Sequence, residues 1–206
     1  MELINTLKQG LQHLKIDLPV SNQTQILDYL KLLEKWNKIY NLTAINNIKQ
    51  MLPKHVFDSL AVLPYVRGKR ILDVGTGAGL PGLLLAIATP DWEYVLVDSS
   101  AKKIRFIKQA IIELKIQNVT PICIRTENLE QEIFSTVISR AYTNIQLFYT
   151  QTEKFIDKTG CLLAMKGTYP EIEIITMKQL PVNITTTVLK IPQLSAQRHL
   201  IEITLK

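Results

Sequence analysis

Residues Arg70 to Gly82 read RILDVGTGAGLPG. An apolar run ends in Asp73, glycines follow at 75, 77 and 79, and a helical pattern opens near Pro81. The order is strand, tight glycine turn, helix start. Alternating glycines let bare backbone approach a ligand lying over a helix N-terminus. The next apolar run, Tyr94 to Val97, ends in Asp98, a carboxylate placed to accept hydrogen bonds from a ribose diol.

From Lys69 onward strand and helix signals alternate. Strands are predicted at 70–74, 93–97, 119–124, 134–139, 160–165, 183–190 and 199–205. Helices are predicted at 81–88, 101–114, 144–155 and 170–178, with a short one near 128–131. The first strands are near-continuous apolar runs, as parallel strands buried on both faces are. The fold class is therefore α/β: a doubly wound, mostly parallel seven-stranded sheet, with ligands above the carboxyl ends of its strands. The last two strands are predicted to form an antiparallel pair at the sheet edge.

Residues 1–66 read as a helical subdomain packed on a core domain of residues 67–206. Leu3, Leu7, Leu11 and Leu14 follow a helix period. Ser21 is the expected cap of a helix carrying Ile26, Leu30, Leu33 and Trp36, with Trp36 read as core between helices. Pro53 is expected to begin another helix, with Val56, Leu60 and Leu63 inward and its end marked by Pro64 and Gly68.

The chain has 206 residues, 47% of them hydrophobic, enough for one good-sized core. No apolar run approaches the roughly 20 residues that span a bilayer. A cytoplasmic protein is expected. Cys123 and Cys161 lie in apolar strand-like runs and are expected to be buried free thiols, and no metal site is expected around His13, His55 and His199. The net charge of +6 is spread along the chain: seven lysines against five acids in residues 1–66, seventeen basic residues against thirteen acids beyond. The excess favours a polyanionic partner without requiring one.

Three readings compete for the glycine turn. An ordinary strand–turn–helix junction does not call for three alternating glycines. A dinucleotide site is suggested by the GxGxxG spacing of Gly77, Gly79 and Gly82. Asp73 would repel a diphosphate but suits a cationic head, such as the amino group and sulfonium of S-adenosylmethionine. The methyl-donor reading assigns Asp73, Gly75, Thr76, Gly77, Gly79, Leu80 and Asp98 to the cofactor. Thr126, Glu127 and Asn128, after the third strand, are assigned to its adenine, with Ser99 and Ser100 as helix caps.

The fourth strand ends in Arg140 and the fifth in Lys166, the ligand edge of such a sheet. Arg125 and Arg198 are expected to extend this basic patch toward phosphate or base. The Asn/Asp-Pro-Pro-aromatic motif of many amino-nitrogen methyltransferases is absent; Ser139-Arg140-Ala141-Tyr142 stands in its place. No cysteine is placed for attack on a pyrimidine carbon. Guanine N7 needs neither device, because its lone pair already lies in the ring plane.

The ordered set of motifs closely resembles the bacterial guanine-N7 methyltransferases of small-subunit ribosomal RNA, family G, once called glucose-inhibited division protein B. The resemblance runs through Trp36-Asn37-Lys38-Ile39-Tyr40-Asn41-Leu42-Thr43-Ala44-Ile45, His55-Val56-Phe57-Asp58-Ser59-Leu60, the glycine turn and Val97-Asp98-Ser99. It continues in Lys102-Lys103-Ile104-Arg105-Phe106, Ser139-Arg140-Ala141, Met165-Lys166-Gly167 and Arg198-His199. It implies N7 methylation of guanine 527 in the 530 loop of 16S ribosomal RNA, with S-adenosylmethionine as donor and a ribonucleoprotein or assembly intermediate as substrate. A monomer is expected. The resemblance places Asn41 and His55 near the active face, with Arg140 also touching the cofactor and Arg125, Arg140, Lys166 and Arg198 as a basic ring for RNA. Asp58 is expected to organise this junction. Departures are Ala196-Gln197 before Arg198, where the family has Gly-Glu, Lys102-Lys103 where it has Lys-Arg, and Glu127-Asn128 where it has an acidic pair.

Competing functions remain distinguishable. A small-molecule or protein methyltransferase would have an apolar or acidic acceptor mouth. A non-catalytic RNA-binding module would have a blocked donor pocket. A nicotinamide oxidoreductase would need a diphosphate cradle.

Overall fold

The computed structural model describes residues 2–140, 142 and 144–206; Ala141 of the Ser139-Arg140-Ala141 motif lies outside them. The amino-terminal part contains α1 (Glu2–His13), α2 (Val20–Tyr40), α3 (Ile48–Met51) and α4 (Asp58–Leu60). The sheet region contains β1 (Arg70–Val74), α5 (Gly82–Ala88), β2 (Glu93–Asp98), α6 (Ala101–Glu113), β3 (Val119–Cys123) and β4 (Thr136–Arg140). It continues with α7 (Ile145–Thr152), β5 (Cys161–Lys166), α8 (Glu171–Met177), β6 (Val182–Val188) and β7 (His199–Leu205).

The seven strands lie in the order β3-β2-β1-β4-β5-β7-β6. Strands β1 to β5 pair in parallel, and β7 pairs antiparallel with both β5 and β6. The expected antiparallel pair is present, but β7 inserts beside β5 and only β6 forms the edge. Strand order reverses between β1 and β4, which opens a crevice above their carboxyl ends.

Alternation along the strands sorts side chains to two faces. Ile71, Leu96, Ile138, Leu163 and Met165 join the apolar layer shared with α1, α2, α5 and α6. Leu72, Val74, Val97, Val137 and Leu162 join the layer of α7 and α8. The same parity puts Asp73, Asp98 and Arg140 toward the amino-terminal helices and Lys166 toward α7 and α8.

Helix α1 docks through Leu7, Gly10 and Leu11. A Cβ on Gly10 would lie 2.0 Å from Cζ of Phe57, itself fully buried. Gly10→Ala is expected to destabilise the protein by about 1–3 kcal/mol through overpacking, read as a lower midpoint in denaturant; an unchanged midpoint would show that the Phe57 ring yields freely.

Local differences from expectation have identifiable causes. Helix α2 begins at Val20 after Pro19, so Ser21 lies inside it and its hydroxyl bonds Asn22 rather than capping. Residues Leu52–Phe57 form a π-helix rather than the α-helix expected from Pro53; π segments are frequent at functional sites. Helix α5 starts at Gly82, after a cis Leu80–Pro81 peptide. The short helix expected at 128–131 is a 3₁₀ turn at Thr126–Asn128. Cys161 is buried, whereas Cys123 is exposed, because β3 is the other sheet edge. Trp36 stacks on Tyr40 at 5.1 Å and meets Phe106 edge-on at 5.7 Å, which joins α2 to α6.

Candidate active site

The glycine turn spends most of its amides internally. Gly75 and Thr76 donate N–H to the Val97 carbonyl at 2.8 and 3.0 Å, and Gly79 and Leu80 donate to the Thr76 carbonyl. Gly77 donates to Asp98 Oδ2 at 3.0 Å, Gly82 to Asp73 Oδ2 at 2.8 Å, and Leu83 to the Gly79 carbonyl. Pro81 has no N–H. A diphosphate needs such donors, so the GxGxxG match does not make a dinucleotide cradle. Gly75, Gly77 and Gly79 all have positive φ, the conformations for which glycine is required here. Tyr29 of α2 donates its hydroxyl to the Ala78 carbonyl at 2.8 Å and ties the turn to the amino-terminal helices.

Asp73 does not face the cavity directly, as expected for contact with a cationic head. It is fully buried beneath the turn, accepting from Thr76 Oγ1 at 2.7 Å and from Gly82 N–H. A Cβ on Gly82 would fall 2.7 Å from Asp73 Oδ2, so that glycine serves the brace. The other carboxylate oxygen, Oδ1, is buried with no hydrogen-bond partner among the described residues. Burial raises the Asp73 carboxyl from 3.8 to about 7, against the lowering effect of its hydrogen bonds and the Arg140 charge. Its folded pKa lies above its unfolded one. Its contribution to stability is therefore fully present below about pH 4 and lost as pH rises through about 7. Asp73→Asn is expected to flatten that part of the pH–stability curve relative to wild type, measured by chemical unfolding at stepped pH; an unaltered slope would contradict the assignment.

A cavity of about 400 Å³ opens over the carboxyl ends of β1, β2 and β3. Gly75 and Asp98 form one side, and Ile124, Tyr142 and Leu147 provide apolar surface. The Asp98 carboxylate accepts from Ser100 N–H at 2.8 Å, Gly77 N–H at 3.0 Å and Lys103 Nζ at 3.3 Å. Asp98 thus fixes the turn that leads into α6 through the N-cap residue Ser100, whose own hydroxyl makes no cap bond. One carboxylate offers about four acceptor sites, so with three taken one remains for a ribose hydroxyl. Thr126 and Glu127 line the cavity and Asn128 does not. Thr76, Gly77, Gly79 and Leu80 shape the turn without lining it. The cavity also takes in Arg125, which lies here and not with the other expected RNA cations.

A second cavity, about 420 Å³, contains Lys54, Arg140, Lys166 and Arg198 with His55 and Asp58. Asp58, 3% exposed, accepts from Arg198 Nε at 2.8 Å and from Arg140 Nη1 at 3.3 Å. Arg140 Nη1 also donates to the Lys54 carbonyl at 3.2 Å, within the π-helix. His55 bonds that same carbonyl through Nδ1 at 2.9 Å and Thr43 Oγ1 through Nε2 at 2.9 Å. Burial, reinforced by the Arg140 charge, lowers the His55 imidazole from 6.5 to about 4, so it is neutral at pH 7. Lys166 is held by Glu173 of α8 at 2.9 Å, and Glu173 also accepts from Ile145 N–H at 2.6 Å.

Two expected placements are corrected. Arg140 lines the second cavity and not the cofactor-side one, its guanidinium held by the Lys54 carbonyl and the Asp58 carboxylate. Asn41 lines neither; it ends α2 in a left-handed conformation, φ 48°, its N–H donating to the Asn37 carbonyl. The loop after α2 is held by Asn37, whose side chain donates to Asn46 and accepts from Thr43 N–H. Sequence reading missed Glu173, Lys54, Tyr29 and Gln151, whose hydroxyl partner is Tyr142. None carries a local signal; Tyr29 comes from a distant element, and Glu173, Gln151 and Lys54 lie close in sequence to site residues but are brought to them by the packing.

A reversing parallel sheet, a ribose-competent carboxylate at the end of β2 and a glycine turn that spends most of its amides internally define the class of S-adenosylmethionine-dependent methyltransferases. The fold agrees: a SAM-dependent methyltransferase from Aquifex aeolicus superimposes with a TM-score of 0.59 at 15% identity, covering 76% of this chain and 93% of that one. The family model for rRNA small subunit methyltransferase G matches residues 22–201, and the chain belongs to that family. Proteins named ribosomal RNA small subunit methyltransferase G are 46% identical over 200 residues in Nitrosococcus oceani, covering 97% of this chain and 94% of that protein. In Francisella tularensis subsp. novicida the identity is 47% over 195 residues, covering 95% and 94%.

Proposed function

We propose that the protein methylates N7 of guanine 527 in the 530 loop of 16S ribosomal RNA. It is an S-adenosylmethionine-dependent methyltransferase of small-subunit ribosomal RNA. The observation that carries the reading is a divided cleft. Arg140, which ends β4, and Tyr142, two residues on, line different cavities, one basic and one suited to a nucleoside.

The residues present suit the cofactor. Asp98 is the ribose acceptor, Ile124, Tyr142 and Leu147 flank the adenine, and Thr126 and Glu127 meet its edge. Asp73, with an unspent oxygen behind the turn, favours a cationic ligand when ionised, and burial holds part of it protonated near neutral pH until such a charge arrives. When bound, S-adenosylmethionine supplies an electrophilic methyl carbon on a sulfonium. Guanine N7 needs no deprotonation, so no general base is called for; His55, with both ring nitrogens spent on Lys54 and Thr43 and its basicity lowered by burial, is placed as a structural residue and not as a base. What the chain supplies is alignment and exclusion of water. Arg140 and Arg198, held as a pair by Asp58, receive phosphate or guanine O6. Lys166 contributes once RNA competes with Glu173.

In this reading residues 67–206 hold the cofactor and residues 1–66 supply Lys54, His55 and Asp58 to the acceptor wall. The chain acts as a monomer in the cytoplasm, on a ribonucleoprotein or assembly intermediate. No helix among the described residues is long and apolar enough to cross a membrane, and none of their His, Cys, Asp or Glu clusters suits a metal. The test is methyl transfer to small-subunit RNA lacking the mark, with mapping of the product nucleotide. Methylation elsewhere, or none, would reject the assignment.

A further inference from the structure

A second basic surface lies outside both cavities. Helix α2 exposes Lys31, Lys35 and Lys38, spaced to one side of the helix, and α6 exposes Lys102, Arg105 and Lys108. The two helices pack together through Trp36 and Phe106, and Lys102 Nζ donates to the Tyr40 carbonyl at the end of α2. Lys31 is paired with Asp28, also exposed. Among the described residues Lys35, Lys38, Arg105 and Lys108 have no salt-bridge partner. Glu34 of α2 is engaged elsewhere, accepting from Ile48 N–H at 3.2 Å.

This surface begins at the mouth of the site. Lys103, next to Lys102, lines the cofactor-side cavity, and Ile45, shortly after Tyr40, lines the basic one. From there the lysines of α2 run about 10 Å along the helix and the cations of α6 about 9 Å, at 1.5 Å per residue. Exposed, unpaired cations on rigid helices suit a run of phosphates and carry no base recognition.

We propose that the α2–α6 ridge binds the phosphate backbone of the RNA flanking the target guanine. The inference rests on the ribosomal RNA reading above. None of its residues lines the methyl-transfer cavities, so the ridge acts on RNA affinity alone. Each phosphate contact contributes about 0.7–0.9 to the slope of log affinity against log salt.

The experiment compares the full-length protein with a Lys35→Gln, Lys38→Gln, Arg105→Gln variant. It uses small-subunit RNA lacking the mark at stepped salt, alongside S-adenosylmethionine titration. The expected result is a salt slope shallower by about 2–3, a raised KM for RNA, and unchanged kcat and cofactor affinity. A Lys35→Arg, Lys38→Arg variant is expected to keep the wild-type slope. An unchanged slope in the glutamine variant overturns the ridge while leaving the methyltransferase reading intact. So does loss of binding to anionic lipid vesicles with RNA affinity unaltered, which would assign the ridge to a membrane surface. Failure of the wild-type chain to methylate this RNA overturns the underlying reading, and the ridge proposal falls with it. Should the triple variant lose cofactor affinity, the single Lys35→Gln variant decides, with a slope change of about 0.7–0.9 expected and none overturning.

Discussion

Arg140→Ala is expected to lower methyl transfer by about 100-fold, the scale of a misplaced reactant, while S-adenosylmethionine affinity stays within about twofold. The asymmetry follows from placement. Arg140 ends β4, yet its guanidinium faces Lys54 and Asp58 and lines only the basic cavity. Its removal takes a cation from the acceptor side and leaves the nucleoside cavity's wall in place. Asp58→Asn is expected to reproduce much of the loss by another route. The carboxylate holds both Arg140 and Arg198, each about one-fifth exposed. Without it two partly buried guanidiniums lose their common anion and their fixed directions. Single-turnover transfer and cofactor titration on both variants check this. Equal loss of transfer and cofactor affinity in Arg140→Ala would place that residue in the donor site and remove the division of the cleft.

Asp98→Ala is expected to weaken S-adenosylmethionine binding by about 1.5–3 kcal/mol, the range of hydrogen bonds to a charged group. That corresponds to roughly 10- to 150-fold in dissociation constant. Two effects contribute. The ribose loses its acceptor, and the Gly77 and Ser100 amides and Lys103 lose the carboxylate that positions them. Asp98→Asn separates the two, since the amide keeps an acceptor oxygen for a backbone donor but loses the charge that attracts Lys103. Isothermal titration on both variants is the measurement. An unchanged dissociation constant in Asp98→Ala would exclude the ribose role.

The strands, the glycine turn and Asp98 were legible because each carries a local signature: continuous apolar runs, left-handed glycines and an acid at a strand end. Arg140, Lys166 and Arg198 were legible as cations at strand ends, and the structure gathers them in one cavity. Arg125 illustrates the limit. It also follows a strand, yet β3 ends on the cofactor side of the reversal point, so it joins the nucleoside cavity. Asn41 shows another: the family resemblance placed it near the active face, whereas the backbone uses it to end α2, the local capping role its residue type also allows.

The amino-acid sequence alone determined the α/β class, the donor turn and the family, because these rest on short-range periodicity and on ordered motifs. Only the tertiary structure decided which charges meet. Alternate strand residues face opposite layers, so Arg140 turns toward Asp58 and Lys166 toward Glu173, partners 82 and 7 residues away. Which layer lies on which face depends on how the whole chain winds around the sheet, and no local stretch of residues contains that information.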